Sequence, residues 1–91
     1  MSKKLEKQLT VKNKLGLHAR AAAQLVKTLN AFHCDVQIEA NGQNVNAKSI
    51  MGVLMLAASK GTSVTAYFEG DDAAEAMEAL AYLFENKFGE E

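Results

Sequence analysis

Apolar residues in this chain recur with two periods, and the period changes several times. A strand is predicted from about Lys7 to Lys12, where Leu9 and Val11 share one face. Asn13-Lys14-Leu15-Gly16 breaks that alternation with loop-forming residues. Ala22, Leu25, Val26, Leu29 and Phe32 then recur at helical spacing as one stripe, while Gln24, Lys27 and Asn30 face elsewhere. Alternation returns over Asp35 to Ala40, with Val36, Ile38 and Ala40 inward. Val45 and Ala47 continue it beyond Asn41-Gly42. Both residues of that dipeptide tolerate positive φ, so a tight hairpin is predicted.

Ser49 is a suitable N-cap for a short helix running to about Ala58 and stopping near Lys60-Gly61. Of that helix, Val53, Leu56 and Ala57 are expected to face the core, leaving Ile50, Met51 and Leu54 exposed. Thr62 to Phe68 reads as a strand with Val64, Ala66 and Phe68 on one face. Asp72-Ala73-Ala74-Glu75 resembles a capping box and opens a last helix carrying Ala73, Ala76, Met77, Leu80, Leu83 and Phe84. Gly89-Glu90-Glu91 is expected to fray.

The predicted order is β-α-β-β-α-β-α. Each strand offers one apolar face, so the economical α+β arrangement is a four-stranded antiparallel sheet with three helices on one side. Gln37, Glu39, Asn44, Asn46, Thr65 and Tyr67 would leave the other face polar and wet.

At 91 residues the chain has room for one domain, spanning 1–91. Its 10 basic and 11 acidic residues nearly cancel and argue against nucleic-acid binding. The single cysteine, Cys34, excludes an internal disulfide framework and fits a cytoplasmic protein. The apolar run Ile50 to Ala58 is too short for membrane insertion as a helix, and no stretch of signal-peptide length follows the basic start. His33 and Cys34 are adjacent, but no second pair completes a metal site. Glu85, Glu90 and Glu91 read as a solvated acidic end.

The chemistry concentrates in Gly16-Leu17-His18-Ala19-Arg20. A histidine stands where a helix is predicted to begin. Unpaired backbone N–H groups and the positive end of the helix dipole favour anions there. An imidazole in that setting can take a phosphoryl group as the neutral base, and the helix end disfavours its cationic form. Arg20 can pair bidentately with phosphate oxygens, and the N–H groups around Ala19 and Ala21 can add donors.

Together with Lys48-Ser49-Ile50-Met51-Gly52-Val53 and this order of elements, that motif resembles the HPr phosphocarriers of the bacterial phosphoenolpyruvate-dependent phosphotransferase system. The resemblance covers about Leu9 to Phe88. It implies an open-faced β-sandwich and a monomeric carrier, not an enzyme, that needs no cofactor. It implies that His18 accepts phosphate through Nδ1 from enzyme I and passes it to enzyme IIA proteins, with Arg20 as companion. It implies regulatory phosphorylation of Ser49 by a serine kinase, and docking through Leu17, Ala23, Gln24, Lys27, Ile50, Met51 and Leu54. The family usually has proline where Ala21 stands, and both residues suit a first helical turn. The alternative within the family is its nitrogen-related branch, a regulatory module acting mainly by protein–protein contact instead of serving sugar uptake. A ligand-binding domain of similar layout would need a polar pocket, for which no lining cluster stands out.

Overall fold

A computed structural model describes residues 3–90. Strands β1 (Lys4–Thr10), β2 (Asp35–Ala40), β3 (Gln43–Asn46) and β4 (Ser63–Glu69) form one antiparallel sheet in the order β1-β4-β2-β3. The alternation sets the register. Ile38 lies opposite Ala66 and Val36 opposite Phe68, all four buried, so one face of the sheet is continuous apolar surface. On the other face Gln37 lies opposite Tyr67 and Glu39 opposite Thr65, and the Tyr67 hydroxyl donates to Glu39 Oε1 at 3.0 Å. Asn41 and Gly42 turn the β2–β3 hairpin with φ of 51° and 81°, the positive values that a two-residue turn requires.

Helices α1 (Ala19–Leu29), α2 (Ile50–Met55) and α3 (Ala73–Glu85) cover the apolar face. Helix α3 packs on β1 and β4, and α1 lies between α3 and α2. Ala22, Leu25, Val26 and Leu29 of α1 are buried, as are Ala73, Ala76, Leu80 and Phe84 of α3. Phe32, Met77 and Leu83 are only partly buried at the edge of this core. The layered α+β fold is therefore the one the periodicities predict.

Several boundaries differ. Strand β1 starts earlier than expected, because Leu5 finds a partner in Phe68, and it ends at Thr10. Val11 is nonetheless buried, held by backbone bonds to Gly61 and Thr62. Helix α2 stops at Met55 instead of Ala58. The β2–β3 hairpin supplies the reason: Asn41 Nδ2 donates to the Leu56 carbonyl at 2.9 Å and Gln43 Nε2 to that of Met55 at 3.2 Å. These side chains satisfy carbonyls that another turn of helix would have used. Ala57 then adopts φ 50°, which reverses the expected facing: Ala57 is exposed and Ala58 is buried.

The capping box at α3 is also absent. Asp72 makes no side-chain cap bond. Its carboxylate instead accepts from the backbone N–H groups of His33 at 2.8 Å and Cys34 at 2.9 Å, pinning the segment between α1 and β2. Those bonds, the one from His33 foremost, hold its carboxyl below the usual range. Finally, residues 89 and 90 do not fray. Phe88 is buried against Phe84, with ring centroids 5.2 Å apart. Lys87, Phe88 and Gly89 all have positive φ (53°, 54° and 74°), so the chain turns sharply back across the end of the molecule. Glu91 lies outside the described residues.

Candidate functional site

The loop from β1 to α1 is built around a fully buried asparagine. Asn13 Nδ2 donates to the Gly16 carbonyl at 2.7 Å, and the Gly16 N–H returns to the Asn13 carbonyl at 3.2 Å. Gly16 has φ 72°, and a Cβ there would stand 2.5 Å from the Ala58 carbonyl oxygen, so only glycine fits. The Leu17 N–H bonds that same carbonyl at 2.9 Å, and the Leu17 side chain sinks into the core. Leu17 therefore anchors the loop, and its burial removes it from the expected docking surface.

With the loop fixed on both sides, His18 occupies the N-cap of α1. Its backbone is extended and its carbonyl takes the first helical bond, from Ala22 N–H at 2.8 Å. The imidazole itself makes no cap bond. The N–H groups of Ala19, Arg20 and Ala21 have no acceptor among the described residues, as a helix start dictates. Ala21 packs its methyl in the core, and unlike proline it keeps an N–H at that start.

The side facing the chain end holds a group the residue patterns did not reveal. Glu90 Oε2 stands 2.5 Å from His18 Nε2 and 3.6 Å from Arg20 Nε, and Asn13 Nδ2 donates to Glu90 Oε1 at 2.9 Å. The Glu90 side chain is only 12% exposed, against 75% for Arg20. Glu90 is thus not part of a solvated acidic end, whereas Glu85 is exposed and pairs with Lys12 at 2.9 Å. The hydrogen bond from Asn13, then that with His18, holds the Glu90 carboxyl below the usual range. Asn13 Oδ1 is buried without a partner among the described residues, so the amide orientation is set by the two acceptors on Nδ2. His18 and Glu90 are 72 positions apart, and no local pattern links them.

Beside this corner lies an exposed apolar surface. Ile50, Met51 and Leu54 project from α2 as predicted, and Met55 of the same helix is exposed with them, as is Leu15 in the β1–α1 loop. Ala23, Gln24 and Lys27 are exposed on α1, which packs against α2. Ser49 is the N-cap of α2, its Oγ accepting from Gly52 N–H at 3.1 Å. The patch was legible from α2 being apolar on nearly every side.

Other candidates fall away from this corner. No cluster of three metal-ligating side chains occurs among the described residues. His33 is exposed at the end of the α1 segment. Cys34 is buried, and burial, with Asp72 adding, pushes its thiol up, away from the reactive thiolate. A shallow hollow on the bare sheet face is lined by Lys4, Glu6, Asp35, Lys48 and Tyr67 and includes neither His18 nor Arg20. No helix among the described residues is long and apolar enough to cross a membrane.

The comparisons with known proteins point the same way. Residues 5–86 match the family model described as the PTS HPr component phosphorylation site. The chain is 54% identical over 87 residues to the phosphocarrier protein HPr of Xylella fastidiosa strain Temecula1, covering 96% of this chain and 98% of the relative. It is 51% identical over 86 residues to HPr of Cupriavidus necator, covering 94% and 97%. The crystal structure of HPr from Thermoanaerobacter tengcongensis superposes with a TM-score of 0.92 at 48% identity, covering 96% of this chain and 98% of that one. A helix-capping histidine on this fold, with these relatives, places the chain in the HPr family of the bacterial phosphotransferase system, non-catalytic carriers that move phosphoryl groups from enzyme I to enzyme IIA.

Proposed function

We propose that His18 is the residue that carries the phosphoryl group, bonded through Nδ1. One observation supports this above the others: His18 stands at the N-cap of α1, and its imidazole leaves the first-turn N–H groups of Ala19, Arg20 and Ala21 unused. Those donors and the dipole are available to the incoming phosphoryl oxygens. Arg20, largely in solvent, is free to swing onto the same oxygens. Phosphoryl transfer depends mainly on positioning and on spreading charge, so a carrier needs little more than this. Incubating the protein with enzyme I and phosphoenolpyruvate tests the reading. Wild type should acquire an acid-labile phosphate and His18→Ala none.

The partners dock on the apolar patch of Ile50, Met51, Leu54 and Met55, extended by Ala23, Gln24 and Lys27 of α1. Exposed methionines suit a surface that must accept more than one partner. Ser49, at the edge of that patch, is the position for regulatory phosphorylation by a serine kinase. The α2 start would accommodate the phosphate, but about two negative charges would then sit beside an apolar contact surface. The protein works as one monomeric domain over residues 1–91, in the cytoplasm. Ser49→Asp should slow transfer from enzyme I while leaving the fold intact. Unchanged transfer kinetics in that variant would count against a regulatory role.

A further inference from the structure

The carboxylate of Glu90 is held too firmly for a chance surface contact. Three separate features converge on it. Asn13, fully buried and already tied to Gly16, spends its second Nδ2 hydrogen on Glu90 Oε1. Phe88 is buried against Phe84 and fixes where the chain end starts. The run of positive φ at Lys87, Phe88 and Gly89 then bends the backbone back, a conformation that non-glycine residues adopt at a cost. The outcome is one oxygen aimed at His18 Nε2.

An ionised carboxylate can only accept a hydrogen bond. In neutral His18, Nε2 must then carry the hydrogen, and the lone pair is on Nδ1. We infer that Glu90 is the positioning residue of the carrier: it fixes the His18 tautomer that exposes Nδ1 and stabilises the charge that forms on the ring during transfer. This rests on the reading of His18 as the acceptor. The step balances without an outside reagent. The Nδ1 lone pair forms the N–P bond while the bond to the donor's phosphohistidine breaks, and that nitrogen keeps the electron pair. The donor ring leaves as neutral imidazole. The His18 ring, now bearing phosphorus on Nδ1 and hydrogen on Nε2, becomes cationic. Glu90 faces that cation, and a carboxylate hydrogen-bonded to an imidazolium stabilises it. Because Nε2 keeps its proton, His18 can later depart from phosphorus as neutral imidazole, which keeps the group transferable.

Nitrogen-15 NMR of the full-length protein, at a pH where the ring is neutral, reads the tautomer directly and needs no phosphoryl donor. Wild type should show His18 as the Nε2–H form. Glu90→Ala should relax to the weaker Nε2–H preference of a free histidine, and its rate of phosphoryl acceptance from enzyme I should fall by about tenfold or more, the usual scale for removing a group that orients a histidine. Glu90→Gln retains an accepting oxygen but no charge, so it should keep much of the tautomer bias and still transfer slowly. Wild-type tautomer and rate in Glu90→Ala would overturn the inference, and so would a wild-type rate in Glu90→Gln. An acid-labile phosphate on His18→Ala would instead sink the assignment of His18, an outcome the resting-state spectrum does not touch.

Discussion

Two residues with positive φ, one a glycine and one an alanine, carry opposite predictions. Gly16 must be glycine both for its φ of 72° and because any Cβ meets the Ala58 carbonyl. Gly16→Ala should destabilise the protein by more than about 1–2 kcal/mol, the cost of the left-handed conformation alone, since the clash adds to it. Ala57 is the opposite case: its φ is 50°, yet it carries a methyl group and is exposed. Ala57→Gly should stabilise by roughly 0.5–1 kcal/mol, because glycine removes that strain and only part of the gain is lost to a freer unfolded chain. Chemical denaturation of both variants checks the pair, and a destabilised Ala57→Gly would contradict the strain argument. At this scale the sequence was uneven as a guide. Asn41-Gly42 and the Ser49 cap were legible because turn and cap chemistry are local. The conformation of Ala57 was not, because alanine carries no signal for positive φ.

Residue patterns specify the type of each element, whereas contacts with another element set its ends. Helix α2 is cut short by hairpin side chains, and the Asp72 carboxylate is drawn away from its own helix to the N–H groups before β2. The second case has a pH signature. The Asp72 carboxyl is held below its ordinary range in the folded state, so the stability it contributes is present above the ordinary carboxylate value and lost as pH falls through the folded value. Between about pH 5 and pH 2, wild type should therefore lose more stability than Asp72→Asn, measured by thermal unfolding across that range. Equal losses would mean that the two bonds do not favour the charged form. The exposed face of α2 carries a different prediction. Met51→Asp should weaken binding to enzyme I by about tenfold or more while changing stability by less than about 0.5 kcal/mol. Titration calorimetry and denaturation separate the two effects.

In the whole molecule, the segment after α3 folds back onto the corner that holds His18. The short turn Lys87–Gly89 both closes the core with Phe88 and delivers Glu90 to His18. A chain ending at Asn86 should unfold about 2–4 kcal/mol more easily, the scale of losing one buried aromatic side chain less the strain released. The sheet and its three helices should remain, as circular dichroism would show. A truncated protein as stable as wild type would mean that Phe88 adds nothing to the core.

The amino-acid order by itself determined the layers and the corner where His18 precedes α1. Alternation, helical stripes, an Asn-Gly turn and a histidine before a helix are short-range patterns, each tied to a local backbone geometry. The β1–α1 loop and α1 bring His18, Arg20 and the unpaired N–H groups together within one turn of chain, so that half of this corner needs no distant contact. The other half exists only in the folded molecule. Burial of Leu17, the bond from Asn13 and the approach of Glu90 depend on which surfaces the packed core leaves beside one another. Residues 72 positions apart share no periodicity, and only a core that seats Phe88 brings that carboxylate to the ring.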